Sequence, residues 1–535
     1  MGELPAAKSL PGSPVLFFSI PHFCPLRQIP LPNPPNFCYN AFIGPAAWPH
    51  DRRGAQTDYH EGDERTMKIR MNKGEQAHFE QLIQDIMAHY QAAGVAVAVV
   101  DKETTLYQNF FGWRDAEEQL PMDENTIFGL ASISKSFTAL CVLQMAEWGA
   151  IDLDGPVSRY LPEFRNAHAA QPVKVWHLLC HSAGFLPQPR TLACDIAKEL
   201  DIWENGRAEL GGHPGLAQRG AELICRRLDS QAEKTGLPGE NLSYSNDSFG
   251  LLSEIVRRYG GENSFPDFID KHILAPLGMV RSGVRFIAPA QDPNCSKLYY
   301  LEESRRRWTR DFYDNAFVLM GGGAMKSTLS DMKQYVQMYL RGGLAPGGDP
   351  IISGYTLGEM IKPRQQYGFQ QQYGYALSIG RMGDWTMIGH GGSLTGVSSN
   401  FQWCPELGVG VVVLCNTSGV PAALIAEEAL RWFDGRQIPA PRRQWQDAGW
   451  TPAQIAQAAG VYSSSEGDSD NSVQLYEQDG KIALKRAGKP QPCVAAAQDL
   501  LIAPGPFSDG GIQLLRDPQR GVWGLRTGGR ILTKQ

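Results

Sequence analysis

Between Trp385 and Asn416 three strand-like runs, "WTMIGH", "SSNFQWC" and "GVGVVVLCN", are joined by the turns "GSLTG" and "PELG". A parallel crossover needs a dozen or more residues, so links this short force antiparallel pairing. Far upstream, "VAVAVVD" reads as a buried strand and "TLYQNFFG" as its neighbour across the turn "DKET". A helix precedes them, with Phe79, Leu82, Ile83, Ile86 and Met87 at three- and four-residue spacing and Gly94 as its expected end. The expected fold class is therefore α+β: an antiparallel sheet flanked by helices, with a large helical insertion between its first and last strands.

The insertion is read from four further segments. "AELICRRLD" is a helix, and "YSNDSFGLLSEIVRRYG" is a turn leading into one ended by glycine. "FPDFIDKHILAPLGM" is a helix expected to stop at its proline. "GGGAMKSTLSDMKQYVQMYLRGG" is a glycine loop feeding a helix with Ser330 as its expected N-cap. Composition changes at residues 435–449. Beyond it, "VQLY" and "KIALK" flank Asp479-Gly480, the strongest short hairpin signal. "DLLI", "GIQLLR" and "GVWGLR" extend a small all-β barrel or sheet.

At the other end, eleven of the first fifty residues are proline, which removes ladder donors and fixes φ. Residues 1–66 are expected to be disordered, and "VLFFSI" lacks the basic start of a signal peptide. The expected organisation is this segment, a body over 67–440 and a β unit over 441–535.

Net charge is −6 with both signs interspersed, and no basic run suggests a nucleic-acid surface. No apolar run is long enough to span a bilayer. The ten cysteines form no CxxC pair or zinc spacing, which fits reduced thiols and a cytoplasmic address. No cofactor or metal signature stands out.

The chemistry concentrates in "ASISKSFTAL", residues 131–140. From Ser132 to Trp148 the segment is apolar nearly all round, the pattern of a central buried helix. Ser132 begins it and Lys135 sits one turn on, on the same face. A buried ammonium is costly, so Lys135 must be paired or hold a depressed pKa, and such a lysine can activate a hydroxyl. The plainer reading leaves Lys135 snorkelling and Ser132 as an N-cap. A second copy, Ser330 to Lys333, lies on an amphipathic helix where the charge costs nothing.

"YSN", Tyr244 to Asn246, supplies a phenol able to accept a proton beside a cation, and an amide able to orient a lysine or a carbonyl. "YDN" at 313–315 mimics it without a following apolar helix. "GHGGSLTG" ends a strand on His390, and Gly391 and Gly392 let a ligand approach the backbone. The Ser393 amide could then face an oxyanion. A literal "KTG" at 234–236 precedes Tyr244, and "HGG" lies at the end of a late strand.

In this order, SxxK, YxN and HGG resemble the serine β-lactamase and penicillin-binding superfamily. The stretches "FGLASISKSFTA", "DLDGPVSRYLPEF", "VWHLLCHSAGF", "YSNDSFGLL", "APLGM", "GGGAMKSTLSDM" and "GHGGSLTGVSSNF" are similar to class C β-lactamase-like serine hydrolases and related esterases. The resemblance covers roughly residues 75–435, and the region opened by "AGVY" looks like the lipocalin-like barrel appended to several such proteins. It implies the β-lactamase/transpeptidase-like fold, with Ser132 as nucleophile and Lys135 and Tyr244 sharing the base. It further implies Asn246 positioning substrate and lysine, and the Ser132 and Ser393 amides as oxyanion hole. His390 stands where true β-lactamases carry lysine. That departure favours a neutral ester, an amide or an acyl thioester over an antibiotic. Hydrolysis is the first expectation. Acyl transfer to an alcohol or amine, as in the fungal statin side-chain transesterase, is the second. A non-catalytic binding protein on the same scaffold is the third.

Overall fold

The computed structural model describes residues 73–535, apart from 166–170, 190–198, 200–213, 232–234, 286–290, 303–304, 310–319, 437 and 468–471. Lys68–Gln535 makes one compact unit. The expected disorder of residues 1–66, the mimic at 313–315 and Lys234 of "KTG" lie outside the described residues.

Helix α1 (Lys73–Tyr90) buries Phe79, Leu82, Ile83 and Ile86. It ends at Gln91, which turns left-handed (φ 50°), and not at Gly94. Gly94 instead opens β1 (Gly94–Val100), where a Cβ would meet the Trp113 carbonyl oxygen at 2.6 Å. Two more strands follow, β2 (Thr105–Asp115) and β3 (Leu120–Pro121). Next, β4 (Phe128–Gly129), β5 (Leu298–Glu302), β6 (Arg305–Thr309) and β7 (Lys326–Ser327) form two small ribbons, β4 with β7 and β5 with β6. The chain then returns through β8 (Gln365–Gly368), β9 (Gln371–Tyr373), β10 (Ser378–Met382), β11 (Trp385–Leu394), β12 (Val397–Cys404) and β13 (Val409–Cys415). The main sheet has the order β3-β2-β1-β13-β12-β11-β10-β9-β8 and is antiparallel throughout. The three short-linked runs thus pair as their links require.

Every residue of β1 and β13 is buried, because helices cover both faces. Ala96, Ala98 and Val100 enter one core, and Val95, Val97 and Val99 the other. This is the strand period of two with an apolar layer on each side. On the first face lie α2 (Ser134–Glu147), α3 (Asn246–Tyr259) and α4 (Leu329–Leu340), and on the second α1 and α5 (Ala422–Phe433). In α2 every residue from Ser134 to Met145 is buried, which is why its sequence has no polar face. Phe137 stacks on Tyr335 of α4 with ring centroids 3.9 Å apart.

Two local expectations are corrected. Thr328, not Ser330, caps α4, its side chain accepting from the Asp331 amide. That helix is also largely buried, and Lys333 is held by Glu124 at 3.1 Å and Gln108 at 2.7 Å, not left to bulk water. The helix begun at Phe265 runs past Pro276 and stops at Gly278 (φ 68°), because proline fits the first turn of its last segment and glycine alone takes the left-handed exit freely.

The C-terminal part is a nine-stranded antiparallel sheet. Its strands are β14 (Gly460–Ser463), β15 (Val473–Gln478), β16 (Lys481–Arg486), β17 (Lys489–Gln491), β18 (Val494–Ala497), β19 (Leu500–Pro504), β20 (Asp509–Asp517), β21 (Gly521–Thr527) and β22 (Arg530–Lys534). The order β17-β16-β15-β14-β22-β21-β20-β19-β18 leaves β17 and β18 as edges, so the sheet curls into a half-barrel instead of closing. Asp479 (φ 51°) and Gly480 (φ 76°) make the expected tight hairpin turn. Tyr462, Leu501, Leu525 and Leu532 fill this sheet's own core. Leu186 of the main body packs with Leu515 and Ile531 of the half-barrel.

Candidate active site

Ser132 sits in a single 3₁₀ turn, Ala131–Ile133, ahead of α2. It caps no helix, which removes the N-cap reading, and α2 proper begins at Ser134. Ala131 is left-handed (φ 49°), a conformation that costs a Cβ-bearing residue about 1 kcal/mol. The surroundings hold it there. Ser134 Oγ donates to the Ala131 carbonyl at 2.5 Å and accepts from the Met325 amide at 2.9 Å. The Leu130 amide donates to the Met325 carbonyl at 2.9 Å, and Ser399 Oγ donates to the Leu130 carbonyl at 2.7 Å. The turn leaves Ser132 part-exposed while its neighbours are buried.

Lys135 is fully buried. Its Nζ donates to Ser132 Oγ at 3.2 Å, Asn246 Oδ1 at 2.7 Å and the Gly322 carbonyl at 2.6 Å. Those acceptors are a hydroxyl, an amide and a carbonyl, and none of the three carries a charge. The Nζ also lies 4.8 Å from the Tyr244 ring centroid. Burial pushes the Lys135 pKa well below the ordinary lysine range, with the Arg530 charge acting in the same direction. The sequence demanded a partner or a depressed pKa, and both are present.

Tyr244 is buried at the entry to α3, and a hydrogen bond joins it to Ser132. Burial raises its pKa, while that hydrogen bond and the Arg530 charge pull it down. Ser245 caps α3 by accepting from the Ser248 amide, and this places Asn246 as the first helical residue, beside Lys135. Ser132, Lys135, Tyr244 and Asn246 therefore meet in one place. Across the described residues, Ser330 and Lys333 lie on α4, with Lys333 turned to Glu124.

The third motif lies on β11. Beyond Gly389 this strand has lost its β10 partner, and its free edge runs past the serine turn. Gly392 is required there, since a Cβ would stand 2.1 Å from the Leu130 carbonyl oxygen and 2.4 Å from Ser399 Oγ. Ser393 follows, exposed and paired with Ser398. His390 is buried, with Nδ1 2.5 Å from the Gly391 carbonyl and Nε2 2.9 Å from the Tyr373 hydroxyl. A carbonyl can only accept, so Nδ1 carries the proton and Nε2 accepts from the phenol. Burial, assisted by Lys135, lowers the His390 pKa to about 3, so the ring is neutral near pH 7. Both nitrogens are engaged, and the ring acts on its surroundings through Tyr373.

Four more residues surround the site that the motifs did not reveal. His181, left-handed at φ 57°, accepts the Ser245 amide on Nδ1 at 3.1 Å and lies 4.2 Å from the Tyr244 ring, centroid to centroid. Its sequence signal, the second histidine of "HLLCHSAG", was available but not distinctive. Tyr367 reaches over from β8, stacked on Tyr373 at 5.2 Å. Arg530 and Glu466 come from the C-terminal half-barrel, paired at 2.5 Å, with the Arg530 guanidinium 5.1 Å from the Tyr244 ring centroid.

The sequence model of the family described as Beta-lactamase matches residues 79–433, about two thirds of the chain. The chain belongs to the Beta-lactamase family. Among curated relatives, Esterase EstB of Burkholderia gladioli is 34% identical over 214 residues, 37% of this chain and 50% of that protein. Penicillin-binding protein 4* of Bacillus subtilis is 25% identical over 278 residues, 50% of this chain and 56% of that protein. This β-lactamase-family chain thus spans only about half the length of these relatives. Among solved structures, the octameric penicillin-binding protein homologue from Pyrococcus abyssi superposes with a TM-score of 0.60 at 25% identity. The match covers 86% of this chain and 99% of that one, so it extends well beyond the residues the family model matches.

Proposed function

We propose that the chain is a serine hydrolase that cleaves a neutral ester, amide or acyl thioester through an acyl-Ser132 intermediate, with an active-site arrangement of the class C kind. The observation that carries this is the fully buried Lys135 amine hydrogen-bonded to Ser132 Oγ at 3.2 Å. A desolvated amine with a lowered pKa is a base near neutral pH, and the hydroxyl it touches is part-exposed to a substrate.

In this reading Lys135 and Tyr244 take the Ser132 proton as one coupled unit. The Ser132 oxygen adds to the substrate carbonyl carbon, and the oxyanion forms between the Ser132 and Ser393 amides. Tyr244 returns the proton to the leaving alcohol, thiol or amine. Water then enters by the same proton route, and its attack releases the acid. Asn246 holds Lys135 through Oδ1. The neutral His390 offers no permanent cation to a substrate carboxylate, which favours uncharged acyl groups. Residues 67–440 carry the chemistry, and residues 441–535 are an appended lipocalin-like unit.

A panel of p-nitrophenyl esters and acyl thioesters, with and without an alcohol, tests the reading by intact mass and product analysis. Acylated protein that decays to free acid supports hydrolysis, and decay to a new ester when alcohol is present supports acyl transfer. No acylation and no turnover across the panel would favour the binding-protein reading.

A further inference from the structure

The β21–β22 hairpin ends in Thr527-Gly528-Gly529-Arg530, a two-residue turn in which Gly528 (φ 53°) and Gly529 (φ 75°) are both left-handed. This tip belongs to the half-barrel yet reaches the serine pocket. The Tyr244 amide donates to the Gly529 carbonyl at 3.0 Å. A Cβ on Gly529 would lie 2.3 Å from the Tyr367 ring, so only glycine permits the approach. Glu466, with its side chain 1% exposed, grips Arg530 from the same unit. Two further contacts tie that unit to the main body, Ser465 Oγ to the Pro187 carbonyl at 2.7 Å and Arg526 to Asn241 Oδ1 at 3.3 Å.

We propose that this hairpin tip is an integral wall of the catalytic pocket and that Arg530 is a positioning residue for the Tyr244–Lys135 base, fixed over the phenol by Glu466. The inference rests on the serine-hydrolase reading above. A permanent cation here disfavours an ammonium on Lys135 and eases proton loss from Tyr244, whose phenol burial still holds above its ordinary range, so the proton-accepting group it favours is the Lys135 amine. The Arg530 charge lowers the pKa of both groups. Glu466 opposes it at both, and Asp247 opposes it at Lys135. Among the described residues, the remaining titratable groups facing the pair are His181, His390, Tyr367 and Tyr373. Burial holds both histidines neutral and both phenols protonated near pH 7. Among the described residues Arg530 is thus the permanent cation acting on the base, supplied nearly 400 residues downstream of Ser132.

The test is the pH dependence of kcat/KM for a neutral p-nitrophenyl ester in the full-length chain. Arg530→Gln should move the acid limb to higher pH by about one unit, a roughly tenfold loss on that limb. Arg530→Lys, which keeps the charge, should restore most of it. Because Arg530→Gln strands Glu466 and could unfold the hairpin, the doubly neutral Arg530→Gln/Glu466→Gln is measured beside it. Of the two charges this double variant removes, that of Arg530 acts the more strongly on Lys135, so it should shift in the same direction. An acid limb that stays in place in both neutral variants, or that Arg530→Lys fails to restore, overturns the positioning role alone. A wild-type chain that neither acylates nor turns over ester overturns the hydrolase reading and this role with it.

Discussion

Gly392 on β11 and Leu130 before the serine turn stand so close that a Cβ at 392 would lie 2.1 Å from the Leu130 carbonyl oxygen. In the proposed mechanism this same contact sets the gap between the Ser393 and Ser132 amides. Gly392→Ala is therefore expected to cost about 1–3 kcal/mol of stability by overpacking. It should also lower kcat for ester cleavage more than it raises KM, because an oxyanion is bound only in the transition state. Urea unfolding and steady-state kinetics on the same preparation check both.

Replacing Lys135 separates function from stability. Lys135→Met removes a desolvated amine from the core while nearly filling its volume, so the melting temperature should match or exceed the wild type. Ester turnover should fall roughly 10³-fold. Ser132→Ala should abolish turnover, and adding Lys135→Met to it should cost nothing further, since the two act as one unit. Ser330→Ala, on the other SxxK copy, should leave turnover unchanged.

His390 makes stability pH-dependent. Its pKa is about 3 in the folded chain against 6.5 without burial, so the unfolded chain binds more protons between those values. Stability is then full above about pH 6.5 and falls as pH drops toward 3. His177, lowered to about 4 by burial, adds to the same slope. His390→Gln can still accept from Tyr373 but cannot titrate, so its melting temperature should fall less steeply between pH 6.5 and 4. Equal slopes for wild type and variant would remove His390 from the account.

The scaffold under the serine turn is the stacked pair Phe137 and Tyr335, both fully buried. Phe137→Ala should destabilise by about 3–5 kcal/mol, because α2 is buried on every side and has no room to collapse. The midpoint of urea unfolding reads this directly.

The alternating strands and the all-round apolar α2 were legible because each follows from a local pattern, whereas the grouping of Ser132, Lys135, Tyr244 and Asn246 rested on the resemblance carried by SxxK, YxN and HGG in that order. Short links dictate antiparallel pairing, and a lysine inside an apolar run announces a buried amine. Ala131 was not legible, since nothing in an alanine signals a left-handed turn that Ser134, Ser399 and Met325 impose from three different elements. His181 carried only the signal of an ordinary histidine. Arg530 was out of reach because its role depends on β22 pairing with β14 and on a Gly-Gly tip that reads as any hairpin. The barrel expected over 441–535 opens into a half-barrel because the edge strands β17 and β18 find no partner in each other, which strand patterns alone do not specify.

The central claim is that the Lys135 amine makes Ser132 a nucleophile, and covalent labelling by a fluorophosphonate reads it most directly. One adduct per chain is expected, located by peptide mapping on Ser132, absent from Ser132→Ala and strongly slowed in Lys135→Met. A folded wild-type protein that takes no adduct, or that carries it on the peptide holding Ser330, contradicts the account.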